Sequence, residues 1–166
     1  FANTTFSSNV EDLRRAAAWM ADQGMAPQLL IGHSLGGAAI LKAAGDIASA
    51  RAVVTIGAPF DPGHVTQNFA GALDRIEADG AAEVQLGAQK IRIGQAFVED
   101  VAASQLEKAI HDLKKPLLVL HAPRDTVVGI DNATQIFRAA LHPKSFVSLD
   151  KSDHLVTEPE DAEYAA

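Results

Sequence analysis

The sequence predicts an α/β fold built on a parallel sheet, and three observations carry the prediction. Leu29-Leu30-Ile31, residues 52–56 and residues 116–121 are short apolar runs with helical patterns between them. Strands buried beneath helices read this way, rather than as an alternation of apolar and polar residues. A fourth run, residues 145–149, repeats the rhythm after a further helix. The chain has 166 residues, 48% hydrophobic and 21% charged, which suits one domain with a proper core. The expectation is one domain over residues 1–166, with about four parallel strands and helices on both faces.

Each element has its own signal. Ser8-Asn9-Val10-Glu11 has the form of a capping box. Val10, Leu13, Ala17 and Met20 then recur at helical spacing, and Gly24 is a natural stop, so a first helix is expected over residues 9–23. Leu29–Ile31, bounded by Pro27 and Gly32, is too short for a helix and reads as a strand. An Ala-rich helix is expected over residues 36–48, then a strand over 52–56 closed by Gly57-Ala58-Pro59. A third strand covers residues 116–121. A helix over 131–141 follows, with Asp131 as its N-cap, then the fourth strand. Thr157-Glu158-Pro159-Glu160 opens a last helix, with Pro159 in its first turn.

One insertion, residues 61–115, breaks this alternation. It contains a helical pattern over 65–78 and a hairpin with arms 83–86 and 90–93. Two short helices follow, the second capped by Ser104 with Glu107 three residues on. Placed after the second strand, the insertion is expected to form a helix-plus-hairpin cap over the carboxyl ends of the strands.

Composition excludes several classes of function. The net charge is −7 and the basic residues are scattered, which argues against a nucleic-acid surface. There is no cysteine, hence no disulfide, thiolate metal site or cysteine nucleophile. No apolar run reaches the ~18 residues of a membrane span. No paired-histidine metal spacing and no glycine-rich phosphate loop occur, so no metal or cofactor is expected. These features suit a cytoplasmic protein. The chain opens at Phe1, without an initiator methionine or a leader pattern, and is expected to be the middle of a longer chain.

The chemistry is carried by Gly32-His33-Ser34-Leu35-Gly36, which lies between a strand and a helix. A serine on such a turn has a strained backbone and stands above the sheet at a helix N-terminus. Gly32 and Gly36 are expected to remove side chains that would collide there. The Leu35 amide can then face a developing oxyanion. A serine nucleophile needs a base, and the base needs an orienting acid. Asp125 follows the third strand by four residues and His154 follows the fourth by five, where a doubly wound sheet places functional groups. Competing residues are accounted for otherwise. His33 is expected to point away from Ser34. His121 reads as a buried, hydrogen-bonded residue, with a place in the site as the alternative, and His64, at the start of the insertion, as solvent-exposed, with a substrate-facing position as the alternative. His111 and His142 read as surface. Asp150 is the alternative orienting acid and shares a loop with Asp153 and His154.

"IGHSLGGAA", "TIGAPFDPGHV" and "LLVLHAPRDTVVGIDNATQIFRAALHPKSFVSLDKSDHL" resemble the α/β-hydrolase superfamily. They are most similar to the hydrolase domain of bacterial proteins in which it is fused to an OsmC-like domain. The likeness extends over essentially the whole chain. It implies Ser34 as nucleophile, Asp125 as acid, His154 as base and Leu35 as one oxyanion donor. It also implies a departure, because the superfamily nucleophile normally follows the fifth strand and here follows the first. The expected chain is a truncated hydrolase core without the loop that donates the second oxyanion amide. Losing one such donor typically costs on the order of 10²–10³ in kcat. Thr4, Thr5 or a nearby amide are candidate substitutes.

The function expected from this reading is carboxylic-ester hydrolysis on small or medium acyl esters. The alternatives are an impaired hydrolase acting as a binding or assembly module, and an acyltransferase or perhydrolase using the same triad. A homodimer covering the exposed first strand is expected as well.

Overall fold

The computed structural model describes residues 4–86 and 89–165. Residues 1–3, Gly87, Ala88 and Ala166 lie outside it. Helix α1 (Phe6–Asp22) precedes strand β1 (Leu29–His33), helix α2 (Ser34–Ala43) and strand β2 (Ala52–Ile56). A 3-10 stretch (Pro62–Ala72) leads into α3 (Leu73–Asp79), the hairpin strands β3 (Ala81–Leu86) and β4 (Gln89–Gly94), α4 (Gln95–Ala103) and α5 (Glu107–His111). The chain then returns through β5 (Leu117–His121), α6 (Asp131–Ala139), β6 (Lys144–Ser148) and α7 (Pro159–Ala165).

The main sheet has four strands in the order β1-β2-β5-β6, every neighbouring pair parallel. A separate antiparallel pair, β3-β4, sets Glu83 opposite Arg92 and Val84 opposite Ile91. The four-stranded parallel core and the hairpin arms therefore match the sequence reading.

The two faces of the sheet are unequal. Buried residues of α1, α2, α4, α5 and α6 form one cluster with Val53, Leu117 and Val119. Ala38, Ala39 and Ala43 are among them, and their small side chains let α2 lie close to the sheet. On the other face the buried apolar cluster among the described residues is Leu120, Ala122 and Leu149, with Val156 and Ala165 packed against them. Leu29 and Ile31 remain 51% and 60% exposed on the edge strand β1. Both faces are covered, as expected, but the second more thinly. No helix among the described residues is long and apolar enough to cross a membrane.

Several helix ends also differ from expectation, because competing partners win locally. The capping box of α1 is Thr5 with Ser8: Ser8 N–H donates to Thr5 Oγ1 at 3.0 Å, and Thr5 N–H to Ser8 Oγ at 2.9 Å. Glu11 instead accepts from Arg15 at 3.0 Å. Starting one turn earlier buries Phe6, which is 1% exposed. The N-cap position of α6 is Ile130, with Asp131 as the first helical residue, where its charge still suits the helix dipole. Ser104 donates to the Asp100 carbonyl at 2.8 Å, closing α4 rather than opening α5. The helix expected over 65–78 is α only from Leu73. Its first part is 3-10 with a kink at Phe69, in a stretch rich in poor helix formers (Val65, Thr66, Asn68, Gly71).

Candidate active site

The strands of the main sheet end at a common edge, and the candidate residues lie just past it. Ser34 directly follows β1 and is the first residue of α2. Its φ is +53°, in the left-handed region that a non-glycine residue occupies only under strain. The turn survives because two backbones meet closely beneath it. A Cβ on Gly32 would lie 2.7 Å from the Gly36 carbonyl oxygen, and one on Gly37 would lie 2.7 Å from Ala58 Cβ. A Cβ on Gly36 would meet nothing within 4 Å. The tight positions are therefore Gly32 and Gly37, which corrects the expectation for Gly36.

Asp125 and His154 converge on Ser34. His154 Nδ1–H donates to Asp125 Oδ2 at 2.7 Å, and the Ser34 hydroxyl donates to His154 Nε2 at 2.9 Å. A carboxylate only accepts, so the first bond leaves Nε2 free to receive the serine proton. The other Asp125 oxygen accepts from the Val127 and Val128 amides, each at 2.8 Å. Asp125 is 7% exposed, and these three bonds meet the polar demand of a buried carboxylate.

The neighbouring residues sort themselves around this trio. His121 is fully buried and donates from Nε2 to the Val128 carbonyl at 2.8 Å, bracing the loop that carries Asp125. Asp150 is exposed and accepts from Ser148, away from His154. Asp153 accepts from the Leu155 amide, the Thr157 amide and the Thr157 hydroxyl at 3.1, 3.0 and 2.9 Å, closing the His154 loop on itself. Bonds from the Thr157 amide, first, and the Thr157 hydroxyl, second, hold the Asp153 carboxyl below its ordinary value. His111 and His142 are on the surface, as expected. Among the described residues no group of three or more potential ligands is placed to hold a metal.

Two contributors escaped the sequence reading, and a third, His64, takes its alternative position. His33 does not simply point away: its Nε2–H donates to the His154 carbonyl at 2.7 Å, and the two rings lie 4.8 Å apart. Gly57 has φ +56°, and a Cβ there would come within 3.3 Å of Asp125 Oδ2 and 3.4 Å of His154 Nδ1. Its position directly after a strand, level with Ser34, was the available signal. His64 is half-buried and lines a small cavity with Ser34, Leu35, Pro59, Val65, Asn68, Val127 and Val128. It therefore faces the site rather than open solvent.

The Leu35 amide belongs to the first turn of α2, where backbone N–H groups have no intrahelical acceptor. Thr4 and Thr5 do not line the Ser34 cavity, and the Thr5 amide and hydroxyl are committed to the cap of α1. The structure does not bring either to Ser34.

Comparison with known proteins agrees with this architecture. The esterase domain of a Rhodothermus marinus protein is 42% identical, superposes with a TM-score of 0.76 and covers 94% of this chain. The chain spans 63% of that domain's length. Alpha/beta hydrolase domain-containing protein 10 from mouse is 24% identical, with a TM-score of 0.74, over 99% of this chain and 68% of its own. A monoacylglycerol lipase from Paleococcus ferrophilus is 18% identical, with a TM-score of 0.72, over 99% of this chain and 73% of its own. These last two likenesses speak for the fold. No curated protein sequence matches. The model of the alpha/beta hydrolase family matches residues 1–166, and the chain belongs to that family.

Proposed function

We propose that the chain is a serine esterase acting on carboxylic esters with small acyl groups. One observation carries the reading: the continuous hydrogen-bonded relay Ser34–His154–Asp125, with Ser34 on a strained turn. Ser34 Oγ attacks the acyl carbon while His154 Nε2 takes its proton. Asp125 holds the ring in the required tautomer and stabilises the imidazolium. The tetrahedral oxyanion faces the Leu35 amide. Its collapse expels the alcohol, which receives the proton from His154. Water, deprotonated by His154, then attacks the acyl-enzyme and releases the carboxylic acid and free Ser34. The cavity beside Ser34 holds only about 20 Å³ and is mostly apolar, which favours small acyl groups. The segment between β2 and β5 acts as a cap: its His64, Val65 and Asn68 form one wall of that cavity.

Turnover of p-nitrophenyl acetate and butyrate by the chain and by Ser34→Ala tests the reading. The variant is expected to lose on the order of 10³-fold or more in kcat. Equal rates for the two proteins would end it.

The reading includes a homodimer through β1. This edge strand presents exposed Leu29 and Ile31 beside unpaired backbone groups, and a two-fold copy would match it with the same surface. Light scattering at micromolar concentration is expected to give twice the chain mass, and Ile31→Lys to give the monomer. A monomer in the unaltered chain would remove this part.

A further inference from the structure

A second, larger cavity lies in the cap. It is an open groove of about 450 Å³ between the 3-10 stretch, α3 and the β3-β4 hairpin. Phe69, Ala72 and Val84 form its floor, each nearly buried. Arg75 and Lys90 stand on its rim, opposed by the single carboxylate of Glu83, so the groove carries a net positive charge. Neither cation has an ion-pair partner among the described residues, although the chain as a whole is at −7. Asn68 lines this groove and also the cavity holding Ser34, so the two are neighbours across one side chain.

We propose that this groove takes the leaving-group side of the substrate. The substrate class is then an ester of a small acid with a chain-like alcohol that ends in a carboxylate. This rests on the esterase reading of Ser34. The size of the Ser34 cavity confines the acyl group, so the longer part of the ester must run outward past Asn68. An apolar floor suits a methylene chain. The Arg75 guanidinium forks onto a carboxylate and the Lys90 ammonium adds a second charge. Arg75 lies seven residues beyond Asn68, past the kink at Phe69, so helical rises give only an outer reach of roughly 14 Å. An extended alcohol of about eight carbons comes near that reach, and one of four carbons covers about half as much.

The test uses ω-acetoxyoctanoate and ω-acetoxybutanoate, each beside its neutral methyl ester. The quantity read is the ratio of kcat/KM for the acid to that for its methyl ester, in the unaltered chain, in Arg75→Ala/Lys90→Ala and in Arg75→Lys. Taken within each protein, the ratio cancels any general loss of folding or chemistry. The expected ratio is about tenfold for the octanoate and near one for the butanoate, since a factor of ten needs only ~1.4 kcal/mol. The double variant is expected to bring the octanoate ratio to near one, and Arg75→Lys to keep part of it. A ratio near one in the unaltered chain, or one that survives the double variant, overturns the proposal. Should no ester turn over, the esterase reading fails and calorimetry on Ser34→Ala decides the groove separately. Binding of the octanoate but not of its methyl ester, lost in the triple variant, supports the groove; equal or absent binding of the two overturns it.

Discussion

His33 and His154, separated by 121 positions in the chain, are joined by a 2.7 Å hydrogen bond from the His33 ring to the His154 main-chain carbonyl. The bond ties the turn that carries Ser34 to the loop that carries His154. His33→Ala cuts this tie without touching the reacting atoms. The expected result is a fall in kcat of roughly 3–10-fold, matching one net hydrogen bond, with KM little changed. His33→Gln, which keeps a donor at similar reach, is expected to recover most of the loss. Steady-state kinetics on both variants, with circular dichroism as a folding control, checks this. Equal loss in the two would show that the ring's bulk, and not its bond, matters.

Gly57 has a comparable influence from below. An alanine there would adopt φ +56° at a cost of about 1–2 kcal/mol and would press on Asp125 and His154. Gly57→Ala is therefore expected to lower kcat tenfold or more while Tm falls only a few degrees. Kinetics and thermal melting on one preparation separate the two effects. A variant with unchanged kcat would show that the Asp125–His154 pair has room to adjust.

Asp125→Asn replaces a group that accepts three hydrogen bonds. An asparagine keeps one acceptor oxygen. If it faces the Val127 and Val128 amides, its NH₂ faces His154 Nδ1 and favours the wrong tautomer. The expected loss in kcat is on the order of 10³–10⁴. His121, 3.7 Å from Asp125 Oδ2, does not substitute. Pre-steady-state acylation by p-nitrophenyl acetate measures the defect directly.

Asp153 makes the His154 loop sensitive to acid. Its carboxyl is held below the ordinary value of 3.8 by the Thr157 amide and then the Thr157 hydroxyl. A lowered folded-state value means the stabilisation is fully present above the unfolded value and is lost as pH falls through the folded one. The Tm difference between the chain and Asp153→Ala is thus expected to be constant from pH 7 to about 5 and to shrink below about 4. Because Asp153 is open to solvent, the difference should be small and weakened by salt. Melting curves across that range decide it. A difference that grows in acid would reverse the assigned sign.

The features legible from sequence share a physical property: each depends on neighbours close in the chain. Strand runs such as Val53-Val54-Thr55, the strand–turn–helix context of Ser34, and the intervals from strand ends to Asp125 and His154 are local patterns. The parallel sheet then carries the residues after its strand ends to one edge, and the three side chains meet there. The helix starts were less legible because several local caps compete. Thr5 prevails over Ser8 because an earlier start buries Phe6, a tertiary gain that the capping pattern does not contain.

The sequence by itself determined the α/β class, the parallel strands and the triad candidates, because hydrophobic periodicity and turn chemistry act over a few residues. Only the tertiary structure decided what surrounds them. It showed that Gly37 rather than Gly36 is the tight glycine, that Gly57 lies against the Asp125–His154 pair, and that His33 holds the His154 loop. It also placed His64 at the serine and joined the cap groove to it through Asn68. Each of these is a contact between segments far apart in the chain. Its geometry depends on how layers pack, and no local pattern encodes a distance of that kind.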